Sequence, residues 1–297
     1  MHTRSQIIAG PAGALHIVDH PAAGAPPAAG APPAAGAPPA ASAAPAPGDG
    51  TAGEALPLVL VHGMVGHVGF WEAPLAHLAG RRRAVAIDLR GHGASEAPPD
   101  ADYSPAACAA DVLAVLDALG LPRVALVGHS FGTLVAIAAA AAHPERVARL
   151  VLVDPPGDFT QLPAEIREQQ LSPLRAAFET DDWRTAARAG FDAALVGSAP
   201  ATRDAVLGRL AATPRDRLLG MYRSMIDFPA VDTLDRYLAA PGSRAHTIVV
   251  PSNERPFSLH VLRPALEAAV LRGTGHWLMM DAPARFTEQL EAWLTAA

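Results

Sequence analysis

The chain contains no lysine, since all 23 of its basic residues are arginine. This absence excludes Schiff-base chemistry, a pyridoxal-phosphate lysine and a Walker-type phosphate loop. The 29 acidic residues give a formal net charge of −6, and the arginines form no basic stripe. We therefore expect neither nucleic acid nor an acidic membrane surface as a partner.

Cysteine and long apolar runs are scarce as well. Cys108 is the only cysteine, which excludes an internal disulfide and a multi-cysteine zinc site. We expect no metal and no cofactor. No run approaches the roughly 18 apolar residues of a membrane span, and the first ten residues, MHTRSQIIAG, carry no apolar signal-peptide segment. We expect a cytoplasmic protein without a membrane partner.

Half of the 297 residues are nevertheless apolar, which is enough for a substantial core. Short apolar runs predict strands at 6–9, 14–18, 58–61, 84–88, 123–127, 150–153, 246–250 and 268–271. Helical patterns separate many of these runs, at 71–79, 104–119 and onward from 133, and a last one covers 283–294. This alternation predicts a mainly parallel α/β sheet with helices on both faces.

Two stretches interrupt the alternation. All but three residues of 21–53 are Ala, Pro or Gly, which predicts a disordered linker. The stretch 158–242 shows no strand-like run and predicts a helical unit inserted after the sixth strand. The predicted organisation is therefore core strands at 1–20, the linker at 21–53, core at 54–157, the helical unit at 158–242 and core again at 243–297.

One motif carries the chemistry. The predicted strand at 123–127 runs directly into GHSFG at 128–132, and an Ala-rich helix follows. Strand, tight turn and helix are the context that a G-x-S-x-G nucleophile elbow requires. The flanking glycines permit the sharp turn, and Ser130 stands at its tip.

Further motifs occur in a fixed order around this elbow. They are HG at 62–63, DLRGHGAS at 88–95, LVLVDP at 150–155 and GTGHW at 273–277. With them the chain resembles the α/β-hydrolase fold family, in particular serine hydrolases of the esterase/lipase–haloperoxidase type. The resemblance covers all but the linker and implies that 158–242 is a helical cap.

The resemblance implies a role for several residues. Ser130 is expected to be the nucleophile and His276 its general base, in the serine-before-histidine order of this fold. The backbone N–H groups of Phe131 and Met64 are expected to form the oxyanion hole.

The acid of the predicted triad is open between two carboxylates. The family usually places an Asp shortly after the strand that follows the cap, but this chain reads TIVVPSNERPFS there. Glu254 is the nearest carboxylate and fits the usual chain order, so we favour it. Asp154, at the end of the preceding strand, is the alternative.

A cap over the carboxyl ends of the strands closes the cleft in which this fold binds ligands. Residues of the core loops and of the cap are therefore predicted to contact a small-molecule substrate: His62, Gly63, Trp71, Trp183, Met221, Met225 and Trp277.

A serine at the elbow implies acyl transfer through an acyl-enzyme. We predict a serine hydrolase that cleaves a small, fairly apolar carboxylic ester, lactone or thioester. Two alternatives stay open. One is a cofactor-free lyase, oxygenase or C–C bond hydrolase of the same fold, and the other is a non-catalytic ligand-binding protein.

Overall fold

A computed structural model describes residues 3–22 and 55–295 of the chain. Eight strands form one sheet in the order β1-β2-β4-β3-β5-β6-β7-β8. The strands are β1 (Arg4–Gly10), β2 (Gly13–His20), β3 (Leu58–Val61), β4 (Ala84–Ile87), β5 (Val124–His129), β6 (Val147–Val153), β7 (Ala245–Val249) and β8 (Glu267–Val270). Strand β2 pairs antiparallel with β1 and β4, and the other neighbours are parallel. The predicted mainly parallel α/β sheet is confirmed.

Helices cover both faces of this sheet. They are α1 (Glu72–Leu78), α2 (Pro105–Ala118), α3 (Phe131–Ala142), α4 (Ala164–Glu179), α5 (Trp183–Ala194), α6 (Pro200–Ala212), α7 (Arg215–Asp227), α8 (Ala230–Leu238), α9 (Leu259–Leu262), α10 (Leu278–Asp281) and α11 (Pro283–Thr295). None of the helices in the described ranges is long and apolar enough to cross a membrane.

The central strands read as continuous apolar runs because both of their faces are buried. In β3, Val59 and Val61 pack into one apolar cluster with α2, α3 and α8. Leu58 and Leu60 face the opposite cluster with α1, α10 and α11. Alternate side chains of a strand point to opposite faces, so one short strand serves both layers.

The helical unit after the sixth strand is present as α4–α8, between β6 and β7. Its last helix, however, packs with the sheet. Tyr237 of α8 is fully buried and donates a hydrogen bond to the Val147 carbonyl at 3.0 Å. The stretch 158–242 therefore divides into α4–α7 and a helix, α8, that lies on the core.

The predicted linker, 21–53, lies outside the described residues apart from its first two. Of these, Ala22 makes an isolated parallel bridge with Gly80.

Candidate active site

Ser130 occupies the turn between β5 and α3. Its backbone angles, φ 51° and ψ −123°, are ones that residues other than glycine rarely adopt. Its N–H donates to the Val153 carbonyl at 2.9 Å. Its own carbonyl accepts from the Thr133 N–H at 2.9 Å and from Thr133 Oγ1 at 2.6 Å. Such a conformation costs about 1–3 kcal/mol and persists where the surroundings hold it.

The two glycines of GHSFG are required by close backbone contacts. A Cβ on Gly128 would lie 2.2 Å from the Gly132 carbonyl oxygen. A Cβ on Gly132 would lie 2.5 Å from the carbonyl oxygens of Val61 and His62. The start of α3 therefore touches the end of β3, which brings the loop at 62–67 next to Ser130.

Backbone strain concentrates around this point. Among the described residues, positive φ angles occur at four non-glycine positions, and three of them are Val65, Ser130 and Asp154. Val65 is β-branched, for which a positive φ is a clear outlier. Strain of this kind tends to cluster at functional sites, where the surrounding structure enforces it.

His276 pairs with Asp154. His276 Nδ1 and Asp154 Oδ2 lie 2.5 Å apart. The other carboxylate oxygen, Oδ1, accepts from Asn253 Nδ2 at 2.8 Å and from the Val250 N–H at 3.1 Å. Burial would raise the pKa of Asp154, but the hydrogen bond and charge of His276, with the bonds from Asn253 and Val250, outweigh it and lower the pKa. Asp154 is thus held ionised against the imidazole.

The preference for Glu254 as the partner of His276 is corrected by this geometry. Glu254 is exposed and follows the short turn after β7. The carboxylate that meets His276 is instead that of Asp154, which directly follows β6, the strand next to β7 in the sheet.

Asn253 was not singled out from the sequence, yet its amide orientation is fixed. Its Oδ1 accepts from Arg255 Nη2 at 3.0 Å and from Ser258 Oγ at 2.8 Å. A guanidinium can only donate, so the amide nitrogen must face Asp154. The SNERPFS loop therefore supplies a buried support for the acid in place of the acid itself.

His129, the residue before the serine, supports the main chain of His276. Its Nε2 lies 2.9 Å from the His276 carbonyl oxygen, which only accepts, so Nε2 carries the hydrogen. Burial, together with the charge of His276, lowers the pKa of His129 to about 3. The ring is neutral at pH 7 and donates this bond.

The loop at 62–67, which carries the predicted oxyanion-hole residue Met64, passes close to Ser130. A Cβ on Gly63 would lie 2.7 Å from Ser130 Cβ, so only glycine allows this approach. Met64 follows and lines the cavity beside Ser130. Phe131 is the first residue of α3, so its N–H has no acceptor within the helix.

His62 was predicted to contact substrate, but it is buried and supports this loop instead. Its Nδ1 donates to the Gly63 carbonyl at 2.8 Å, and its Nε2 accepts from the Leu89 N–H at 3.0 Å. Burial lowers the pKa of His62 to about 4, against the opposing effect of Asp88. The neutral His62 ring therefore stabilises the loop at 62–67 through these two hydrogen bonds.

A cavity of about 200 Å³ opens above these groups, between the sheet and the inserted helices. Ser130 and His276 line it, and so do Met225 and Trp277, which were predicted to contact substrate, and Met64, which was predicted for the oxyanion hole. Its remaining lining residues were not singled out as pocket residues from the sequence: Phe178, Ala186, Ala187, Gly190, Phe191, Ala194, Leu218 and Tyr222.

Gly63, which lies against Ser130, is not among the described lining residues, and three further residues predicted to contact substrate lie elsewhere. Trp71 is fully buried beside the rings of His129 and Phe286. Trp183 packs in the core, with the Arg184 guanidinium 4.5 Å from its ring centroid. Met221 is buried in the cluster on the α2–α3 side of the sheet. All three are apolar residues in helical or turn segments, where core packing is the commoner use.

Some of the lining residues that the sequence analysis did not single out share a helical spacing, which could have indicated them. Ala186, Gly190 and Ala194 recur every four residues along α5 and line the cavity together. Two aromatic pairs complete the walls. Phe178 stacks on Tyr222 at 5.3 Å and Phe191 on Trp277 at 5.9 Å between ring centroids. The pairs join different elements, so the sequence alone did not show them.

This arrangement of fold and site is that of a known protein family. The family model described as alpha/beta hydrolase fold matches residues 57–239. The chain belongs to the α/β-hydrolase fold family. Over 109 residues it is 41% identical to 2-hydroxymuconate semialdehyde hydrolase from Pseudomonas sp. (strain CF600), a match that covers 36% of this chain. The chain spans only 38% of the length of that relative.

Solved structures of other proteins superpose over almost the whole of this α/β-hydrolase. The thermophilic esterase from Thermogutta terrifontis matches 99% of this chain and 98% of its own, with a TM-score of 0.70 and 20% identity. The enol-lactonase from Burkholderia xenovorans LB400 matches 98% and 100%, with the same TM-score and identity. At these identities the likeness shows a shared fold.

Proposed function

We propose that this α/β-hydrolase is a serine hydrolase that cleaves a small, apolar carboxylic ester, lactone or thioester through an acyl-enzyme on Ser130. The observation that carries the proposal is the Asp154–His276 pair, which reaches the same cavity as the strained Ser130. Asp154 takes up His276 Nδ1, so Nε2 is left to accept the serine proton.

The proposed reaction uses Ser130, His276 and two backbone N–H groups. Ser130 Oγ attacks the substrate carbonyl carbon while His276 accepts its proton and then passes it to the leaving group. The N–H groups of Phe131 and Met64 stabilise the oxyanion, each contributing on the order of 3 kcal/mol. Water then attacks the acyl-enzyme, with His276 again acting as the base, and Ser130 is released.

The cavity supports an uncharged, apolar substrate. Its lining contains mostly alanine, methionine and aromatic side chains, and no arginine is among the lining residues in the part of the chain that the structure describes. A substrate carboxylate would lose its hydration there without gaining a cationic partner among these described residues.

Turnover of p-nitrophenyl acetate, butyrate and octanoate tests the proposal. We expect the wild type to hydrolyse the shorter esters and to react with a fluorophosphonate, and Ser130→Ala to fall to the background rate in both assays. A folded wild type that is inert toward all three esters and toward the fluorophosphonate would overturn the proposal.

A second candidate is a lyase, oxygenase or C–C bond hydrolase in which His276 and Asp154 act as a base pair and Ser130 only donates a hydrogen bond. It is favoured by the Asp154–His276 contact, which is complete without Ser130. In that case Ser130→Ala keeps a measurable fraction of turnover. The non-catalytic alternative rested on the lack of an acid in the loop after β7, and Asp154 removes that ground.

A further inference from the structure

The turn between α5 and α6, at 195–199, lies directly on the loop at 273–277 that carries His276. A Cβ on Gly275 would lie 2.1 Å from Ser198 Oγ, and a Cβ on Gly197 would lie 3.0 Å from the Thr274 carbonyl oxygen. Gly197 also has a φ of +87°. The two backbones therefore approach as closely as they do because each side offers a glycine.

Hydrogen bonds join the two backbones at this contact. The His276 N–H donates to the carbonyl of Ala194, the last residue of α5, at 3.2 Å. Asp281, the last residue of α10, accepts from the Gly275 N–H at 2.8 Å through Oδ2. Its Oδ1 accepts from the Ala199 N–H, at the start of α6, at 2.9 Å. One carboxylate thus holds both backbones, one with each oxygen.

We propose that Asp281 is a positioning residue for His276: its carboxylate clamps the loop at 273–277 to the turn at 195–199, so that His276 is held in its reactive place only while α5 and α6 are docked. The inference rests on the proposed function of His276 as the base. The Gly275 N–H belongs to the residue directly before His276, so this bond fixes the backbone from which the imidazole projects.

The backbone hydrogen bond from His276 to Ala194, next to the clamp, links the base to the substrate cavity. Ala194, whose carbonyl accepts from the His276 N–H, lines the cavity together with Gly190 of the same helix. An outward movement of α5 that widens the cavity would withdraw this acceptor from His276. Opening for substrate and alignment of the base are therefore coupled through one contact.

The choice of test variants follows from the two acceptor oxygens of the Asp281 carboxylate. Asp281→Ala removes both acceptors, whereas Asp281→Asn keeps one acceptor oxygen and serves only one of the two N–H groups. Ala199→Pro removes only the donor on the α6 side. Ala199 has φ −61° and ψ 150°, which proline adopts without strain.

We expect Asp281→Ala to lower kcat on the order of 100-fold, because a displacement of about 1 Å at a reacting group has that effect. KM should stay within about twofold, because no side chain of the cavity lining is removed and the loss concerns alignment of the base rather than substrate binding. Asp281→Asn should lie between Asp281→Ala and the wild type. Ala199→Pro should lower kcat as well, and the double variant should lose little more than Asp281→Ala alone, since both changes break one clamp.

The readouts separate positioning from mere stability. Kinetics are measured well below the melting temperature of each variant, together with the rate of fluorophosphonate labelling, which should fall in parallel with kcat. Asp204→Ala is the matched control, since this aspartate is exposed on α6. It should leave kcat and the labelling rate unchanged.

The outcomes are distinct. If the wild type neither turns over an ester nor labels, the proposed function fails and the inference falls with it. If the wild type is active but folded Asp281→Ala keeps its kcat, the inference alone is wrong. If Asp281→Ala does not fold, Ala199→Pro decides, because wild-type kcat in that variant shows that the α6 side of the clamp does not position His276.

Discussion

At the residue scale, the acid of the site shows what a chain order can hide. Asp154 lies one residue beyond β6 and contacts His276, which follows β8. The second carboxylate oxygen of Asp154 accepts hydrogen bonds from Asn253 Nδ2 and the Val250 N–H. The carboxylate is 3% exposed, whereas Glu254 faces solvent. A buried, fully hydrogen-bonded carboxylate can orient an imidazole, and an exposed one is screened by water.

The two carboxylates can be separated by substitution. We expect Asp154→Asn to lower kcat on the order of 10⁴-fold, because an amide that takes the place of the carboxylate favours the wrong tautomer of the imidazole. Glu254→Gln should remain within about twofold of the wild type. Steady-state turnover of p-nitrophenyl butyrate measures both, and a larger loss in Glu254→Gln than in Asp154→Asn would restore Glu254 as the acid.

Ser130 and its glycines could be predicted because the elbow is local: strand, turn and helix follow one another without interruption from Val124 to Ala142. The partner of His276 could not, because it depends on which of two strand ends the loop at 273–277 reaches through space. The amide of Asn253 occupies the loop in which the sequence pointed to an acid, and its contacts with Arg255 and Ser258 depend on the loop conformation.

At the element scale, α5 lines the cavity largely with small side chains, so we expect it to set the size of the cavity. Gly190 lies in the interior of the helix and lines the cavity, and a Cβ added to it would meet nothing within 4 Å. Glycine inside a helix is destabilising by about 1 kcal/mol relative to alanine. The chain keeps this residue where a larger one would extend over the cavity.

Substitution at Gly190 should therefore separate stability from substrate range. Gly190→Ala should raise stability by about 1 kcal/mol through helix propensity. Gly190→Leu should lower kcat/KM for the octanoate ester more than for the acetate ester, because the side chain narrows the cavity. Thermal melts and the ratio of the two kcat/KM values report the effects.

Gly208 offers a matched control on α6, since it too is inside a helix with nothing within 4 Å of an added Cβ, and it does not line the cavity. Gly208→Leu should leave the ester preference unchanged. Equal shifts of preference in the two leucine variants would show that α5 does not size the cavity.

The strands and the inserted helices were predictable from the sequence because apolar runs and helix spacing are local patterns. The faces of those helices were less so. Trp71, Trp183 and Met221 have the composition of pocket walls, but each turns toward the core, and the walls come from small residues of α5 and from aromatic pairs between elements. Which face a helix presents is decided by its neighbours.

At the scale of the whole molecule, three buried neutral histidines tie stability to pH. Burial lowers the pKa of His62 to about 4 and of His129 to about 3, and it lowers that of His92 well below its ordinary value. In the unfolded chain a histidine titrates near 6.5. Between these values the unfolded state binds more protons than the folded state, so stability is complete above about pH 6.5 and is lost as the pH falls.

We expect the urea midpoint of unfolding to fall between pH 7 and pH 5, because each such histidine adds a slope of up to about 1.4 kcal/mol per pH unit. His92→Gln, which keeps a polar side chain, should reduce that slope by one histidine. Urea titrations at several pH values measure the effect. A midpoint that does not change over this range would show that these rings are not neutral in the folded state.

The pairing of β4 has a consequence for insertions between β2 and β3. Ala84, the first residue of β4, pairs with His20 at the end of β2 on one side and with Leu58 at the start of β3 on the other. With neighbouring strands about 4.8 Å apart, the chain leaves and re-enters the sheet within roughly 10 Å. This point lies at the amino ends of β3 and β4, whereas Ser130 and Asp154 follow the carboxyl ends of β5 and β6. It is a graft point: a module inserted here would begin and end at neighbouring positions, so we expect strand register and catalysis to be retained.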